Sequence, residues 1–430
     1  MKHIAILLLV LLWVSPVNNQ GVAADEAPAI ISESAILMDA KTGQVLYEKN
    51  MNEKLYPASI TKILTILLGI EKGHLDDTVT MSHEAVFTIP RGASHIALDE
   101  GEQITLEQAL MAALLPSAND ACNGIAEHIS GNVSDFAQLM NQRARESGAL
   151  NSNFVNPHGL PDDKQVTTAY DMAMITRAAL QNEKFRAIIS TVRYTIPPTN
   201  KQTEPRELWS EHRMLTTNRF SYQGVIGGKT GYTKESQNTL VTAGRRGDRE
   251  LIAVVMRSED FGVYKDTIAL FDYGFNEFVA QNIPIPAATV NASQGQDETQ
   301  AIQSILNQNQ NLSINRLLHK EVKPEDVVVD YKLMENSQQT KPGLVMNIHL
   351  KDANNLMYSD LGTVYLYGVG APSGSDRWDW TSTALKVVKI ILSVVLGLIA
   401  LLFMVRWFFK IRRNIRRRKS RSRYKIDRYR

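Results

Sequence analysis

Pro57-Ala58-Ser59-Ile60-Thr61-Lys62 opens an apolar run, Ile60 to Ile70, that ends near Gly73. Proline at the start and glycine beyond the end are the asymmetry of an α-helix, so the run reads as one. On a helix, Ser59 and Lys62 stand at i and i+3 and share a face, which lets Lys62 Nζ reach Ser59 Oγ. The hydroxyl falls in the first turn, near the positive end of the helix dipole. A nucleophile, an adjacent base and a partial charge suited to an oxyanion therefore coincide. The spacing alone is a weak signal: at average serine and lysine usage of about 6 to 7% each, a chain of this length carries roughly two S-x-x-K by chance.

Context gives the motif weight. Ser117-Ala118-Asn119 follows directly on the Pro116 break between two helical patterns, where short polar side chains can face a cleft. Other S-x-N triplets, at Ser236 and Ser313, lack that setting. Lys-Thr-Gly occurs at 41–43 and at 229–231. The first lies in a hairpin pattern, between Ala35–Ala40 and Val45–Tyr47, and needs no chemical reason. The second follows a strand and Gly227-Gly228, and glycines there let a ligand approach the backbone closely.

Around these motifs the chain alternates strand and helix signals. Thr105-Leu106-Glu107-Gln108 has the form of a capping box and starts a helix running to Leu115. Helical patterns follow at about 119–129 and 134–147, the latter with Ser134 as candidate N-cap and Gly148 past its end, and another covers Tyr170 to Gln181. Asn156 to Asp163 is a loop by composition. Strands are expected at 224–228, 238–243 and 251–256, then a helix over about 265–277. This pattern gives an α/β (α+β) domain over 25–280. Residues 294 to 312 are polar and Gln/Asn-rich, and 281–370 as a whole reads as a smaller β-rich domain.

The chain has 430 residues, 44% hydrophobic and 21% charged, which excludes a disordered, collagen-like or polytopic membrane protein. The net charge of +2 hides an asymmetry: Arg406 to Arg430 hold 13 Lys/Arg against the single acid Asp427, so this tail is +12 and the rest −10. Ile4 to Val14 followed by Val22-Ala23-Ala24-Asp25 reads as a removed signal peptide, 1–24. Ile390 to Val405 is uncharged, and interfacial tryptophans, Trp378, Trp380 and Trp407, flank it. The expectation is a linker at 371–385, one transmembrane helix at 386–409 and a basic cytoplasmic tail at 410–430. The body of the chain would then lie on the extracytoplasmic side of the cell membrane. Because the tail abuts a span, its charge is read as positive-inside retention with added affinity for anionic lipid, not as a nucleic-acid-binding arm. The lone cysteine, Cys122, forbids an intrachain disulfide and reads as a small buried hydrophobe. No histidine spacing suits a metal, and no cofactor is expected.

The ordered set S-x-x-K, S-x-N and K-T-G in one α/β domain resembles the penicillin-binding and serine β-lactamase superfamily. Within it, the chain is most similar to low-molecular-mass penicillin-binding proteins that act as serine-type D-alanyl-D-alanine carboxypeptidases. Asp39 to Gly43, Leu115 to Ala121, Asn156 to Leu160 and Thr168 to Ala173 share the likeness, which is strong over 30–280 and loose beyond. The resemblance implies a transpeptidase-like fold with an antiparallel sheet and a helical subdomain. It further implies Ser59 as nucleophile, Lys62 as its base and Ser117 as proton relay. Asn119 would orient the substrate amide, Lys229 and Thr230 would bind its terminal carboxylate, and Gly231 would be a further substrate-binding residue. Ser59 and Tyr232 would supply the oxyanion-hole N–H groups. The implied substrate is a peptidoglycan stem pentapeptide, and β-lactams are implied inhibitors. An arginine found in some relatives after the last strand has Arg257 and Lys265 as candidates here. His158 reads as a turn-stabilising residue. A transpeptidase or endopeptidase has the same motifs; a β-lactamase is disfavoured because no Glu-x-x-Leu-Asn lies between the second and third motifs. A non-catalytic wall-binding sensor is the reading from a different class.

Overall fold

The chain's first hairpin joins β1 (Ser34–Asp39) to β2 (Val45–Lys49). Asp39 Oδ1 closes its turn by accepting from Thr42 N and Thr42 Oγ1, both at 2.6 Å, and Gly43 sits at φ +78°. Lys41-Thr42-Gly43 is thus a turn device. The computed structural model of the chain describes residues 27–284, 296–307, 312–334, 343–351 and 360–367. The leader at 1–24, the linker at 371–385, the span at 386–409 and the tail at 410–430 fall outside the described residues. Among the described residues no helix is long and apolar enough to cross a membrane.

After the hairpin, a 3-10 turn, Ala58–Thr61, leads into α1 (Lys62–Lys72). Every residue from Lys62 to Ile70 is buried, as expected of a helix apolar all round. A short strand pair, β3 (Thr78–Thr80) and β4 (Gln103–Thr105), brackets α2 (His83–Phe87). Then come α3 (Leu106–Leu114), α4 (Asn119–Ser130), α5 (Val133–Glu146), α6 (Ala169–Ala179) and α7 (Glu183–Ile189). Thr105 and Gln108 make the capping box at the start of α3. At α5 the N-cap is Asn132, whose side chain accepts from Asp135 N, in place of the expected Ser134. Asparagine is at least as good a cap as serine, and Gly131 in the left-handed region delivers the chain to it.

A second hairpin, β5 (Arg193–Ile196) and β6 (Arg206–Trp209), and the single turn α8 (Arg213–Thr216) precede three long strands: β7 (Val225–Thr233), β8 (Gln237–Arg246) and β9 (Arg249–Ser258). The main sheet is antiparallel in the order β2-β1-β9-β8-β7. Its centre, β9, buries Leu251 to Met256 without a break. Side chains alternate between faces. Ile252, Val254 and Met256 join Ile36 and Met38 in the core with α1 and α6. Leu251, Ala253 and Val255 join Ala35 and Leu37 against α9 (Gly262–Glu277). Helices thus cover both faces, which is why antiparallel strands here read as continuous apolar runs. Each fully buried Leu, Ile or Val side chain contributes about 1.5 to 3 kcal/mol.

Beyond α9, β10 (Phe278–Pro284) pairs with β11 (Ser313–His319), and between them lies α10 (Gln296–Asn307). The polar composition of 294–312 hid this helix, whose Ile302, Ile305 and Leu306 are buried at i, i+3 and i+4. β12 (Val327–Met334), β13 (Gly343–Leu350) and β14 (Asp360–Tyr367) form a three-stranded antiparallel sheet. The Gln44 side chain ties the first hairpin to β11, donating to Leu317 O at 2.7 Å and accepting from Leu317 N at 3.0 Å.

Candidate active site

Three chain segments far apart in sequence converge at the end of the sheet where β7 is the edge strand. The 3-10 turn holding Ser59 is pinned to β8 by Thr239 Oγ1, which donates to Pro57 O at 3.0 Å. Ala58, just before the serine, is held at φ +49°. A non-glycine residue there stores about 1 to 3 kcal/mol of strain, repaid by the surrounding packing. Gly231 of β7 abuts this turn: an added Cβ would lie 2.8 Å from Ser59 N. Only glycine lets the edge strand close on the serine.

Lys62 begins α1 and is wholly buried. Its Nζ donates to Ser59 Oγ at 2.8 Å, to Asn119 Oδ1 at 2.8 Å and to His158 O at 2.9 Å. Burial lowers its pKa to about 8, and the Lys229 ammonium pushes the same way against Cys122, Glu211 and Asp120. Charge on a group cut off from water is costly, and the protein relieves part of that cost by making the proton easy to lose.

Ser117 and Asn119 flank the start of α4. Ser117 is held at φ +61°, and its buried Oγ has no hydrogen-bond partner. A hydroxyl left unpaired against a cavity is poised for a ligand. Asp120, which the sequence reading did not single out, fixes this region. Its carboxylate accepts from Ala121 N at 2.9 Å, Leu98 N at 3.1 Å and Ile96 N at 3.2 Å, while Asn119 N donates to Ser94 O at 2.9 Å. The loop over the cavity is thereby clamped to the helix that carries Asn119.

The loop at 156–160 forms the third wall. Asn156 Oδ1 accepts from Gly159 N at 2.7 Å, and His158 Nδ1 accepts from Leu160 N at 3.2 Å. Gly159 has φ +87°, and a Cβ on it would overlap Ala58 O. Burial, then the Lys62 charge, pushes His158 down to about 3, so its ring is neutral. The ring organises the turn, and the carbonyl, which sequence reading did not identify, meets Lys62.

Lys229 of β7 is buried and likewise lowered by burial. Its Nζ donates to Thr230 O at 3.1 Å. A cavity of about 680 Å³ opens above these groups, lined by Ser59, Ser117, Asn119, Thr230, Gly231 and Tyr232, among others. Arg257 and Lys265 do not line it. Arg257 turns to Glu33 at 3.3 Å. The arginines on the cavity wall are Arg91 and Arg213, and Arg213 stacks 4.5 Å over the Phe261 ring. Cys122 is buried, and burial raises its thiol to about 11.

Residues 21–260 match the family described as D-alanyl-D-alanine carboxypeptidase. The chain is 37% identical over 232 residues to the D-alanyl-D-alanine carboxypeptidase DacF of Bacillus subtilis, covering 52% of this chain and 57% of the relative. It is 33% identical over 275 residues to DacC of Escherichia coli, covering 61% and 66%. The chain thus spans under two thirds of the length of either relative. Among solved structures, a D-alanyl-D-alanine carboxypeptidase from Mycobacterium tuberculosis superposes with a TM-score of 0.54 at 28% identity, covering 59% of this chain and 95% of that one. The DD-transpeptidase of Streptomyces K15 gives 0.55 at 28% identity, covering 58% and 99%. The matched span takes in the Ser59 turn, α4 and β7, and the chain belongs to the D-alanyl-D-alanine carboxypeptidase family.

Proposed function

We propose that the protein is a serine D-alanyl-D-alanine carboxypeptidase that removes the terminal D-alanine of peptidoglycan stem pentapeptides. The observation that carries this reading is the 2.8 Å contact between Ser59 Oγ and a buried Lys62 whose pKa falls to about 8. Neutral Lys62 Nζ takes the hydroxyl proton as Ser59 Oγ attacks the carbonyl carbon of the penultimate D-alanine. The Ser59 and Tyr232 backbone N–H groups hold the oxyanion. Collapse breaks the scissile C–N bond, and the proton passes through Ser117 Oγ to the departing amine. Water then hydrolyses the Ser59 ester. Lys229, Thr230 and Gly231 hold the substrate's carboxylate, with Arg213 beside them, and Asn119 orients its amide. β-Lactams acylate the same serine and leave slowly.

The assay is D-alanine release from a stem pentapeptide by the full chain. Because the neutral amine is the active form, kcat/KM should rise about tenfold per pH unit below 8 and level off above it. A profile flat from pH 6 to 9 would rule out Lys62 as the base. The likeness to a DD-transpeptidase supports a second reading, in which an amine replaces water as acceptor. Adding a stem-peptide amine to the assay separates the two by product.

The sequence supports an extracytoplasmic body held by a 386–409 span, with the tail at 410–430 on the cytoplasmic side and against anionic lipid. The full chain should stay with membranes through alkaline carbonate extraction, and a chain ending at 385 should be released. Release of both contradicts the anchor.

A further inference from the structure

The wall beside Lys229 also carries a carboxylate that no step above uses. Glu211 Oε2 lies 4.0 Å from Lys229 Nζ, and the two side chains are 51% and 1% exposed. Glu211 lines the same cavity as Ser59, Ser117 and Thr230, and its half-exposed carboxylate lies against the buried ammonium. Its place is fixed by the backbone: Glu211 N donates to Leu115 O at 3.3 Å, just before the Pro116-Ser117 turn. Among the described residues no other carboxylate is within ion-pair distance of Lys229.

We propose that Glu211 is a specificity-determining residue: from the cavity wall it pairs with Lys229 in the free protein and weakens the site's hold on a terminal carboxylate. The inference rests on the reading of Lys229 as the group that receives that carboxylate. An incoming carboxylate must share or displace the contact, and it meets a like charge a few ångströms away. A neutral C-terminus meets no such penalty. Glu211 therefore narrows the preference for a free carboxylate over an uncharged end. A like charge at this range, half in solvent and screened by salt, is worth about three- to tenfold in affinity.

Binding is measured on the full chain carrying Ser59→Ala, so that no turnover intervenes, using an N-acylated peptide ending in D-Ala-D-Ala and its C-terminal primary amide. Glu211→Gln should tighten the carboxylate peptide about three- to tenfold and leave the amide unchanged, and Glu211→Asp, which keeps the charge, should retain the parent ratio. With Ser59 present, Glu211→Gln should lower KM by the same factor and leave kcat within about twofold. The proposal is overturned if the two peptides shift equally, if neither shifts, or if the carboxylate peptide binds more weakly. The last result would mean that Glu211 sustains the charge on Lys229. A wild type that releases no D-alanine contradicts the proposed activity, while the ratio of the two affinities still decides the role of Glu211.

Discussion

Lys62→Gln should slow acylation of Ser59 about 10²- to 10⁴-fold, the range spanned by removal of a positioned base. The substitution is chosen for what it keeps. Glutamine's amide N–H groups can still serve Asn119 Oδ1 and His158 O, the acceptors that Lys62 Nζ meets at 2.8 and 2.9 Å. It cannot take a proton at any accessible pH. Loss of the base should therefore appear without loss of the fold, and the variant's thermal transition should stay close to that of the wild type. The residual rate should also lose the limb near pH 8, since the group that titrates there is gone. The measurement is stopped-flow acylation by a fluorescent penicillin across pH 6 to 10. A variant that acylates within threefold of the wild type places the base elsewhere.

The pKa that makes Lys62 useful also costs stability. Its folded value of about 8 lies below the 10.5 of an exposed lysine, so between those values the unfolded chain binds more protons than the native one. Stability rises with pH through that window, and below pH 8 the whole penalty, about 3 kcal/mol, is present. Burial of α1 on all sides and the helix-covered sheet offset it. The site is thus placed on a buried helix and the edge of a covered sheet, where a costly charge can be held in position.

Local features of the fold were legible where local chemistry decides them. The Thr105–Gln108 capping box, the Pro57 entry to the 3-10 turn that leads into α1, and the turn at Lys41-Thr42-Gly43 each depend on residues within a few positions of one another. α10 was hidden because Ile302, Ile305 and Leu306 are diluted by glutamine and asparagine, which lowers the apolar average without changing the period. Asn132 displaced Ser134 as a cap because the left-handed Gly131 sets where the turn begins, a backbone property that composition does not carry.

The site divides along the same line. The order of the three motifs points to Ser59, Ser117 and Lys229, and the fold brings their segments to one cavity. Residues that act through long-range closure carried no local signal. Arg213 sits on a single turn with no periodicity, and it reaches the cavity because 210–217 folds beside β7. Arg257, one of the two candidates offered with Lys265, lies near the end of β9 and is drawn away to Glu33. The His158 carbonyl, the Asp120 clamp and the Glu211 carboxylate contribute through geometry that spacing does not encode. Asp120 did have one readable sign: a carboxylate in the first turn of a helix is well placed to accept backbone N–H groups.

Ser59→Ala carries the largest expected effect, because it removes the atom that forms the covalent bond. Nothing nearby replaces it. Ser117 Oγ is unpaired but lacks an adjacent base in hydrogen-bond contact, and the Cys122 thiol is buried and raised to about 11. The full chain is incubated with a fluorescent penicillin, the intact mass is read, and D-alanine released from a stem pentapeptide is measured in parallel. The wild type should gain one penicilloyl group, mapped to the peptide containing Ser59, and should release D-alanine. Ser59→Ala should gain none and release none above background, with its thermal transition preserved. Equal labelling or equal D-alanine release by Ser59→Ala contradicts the account.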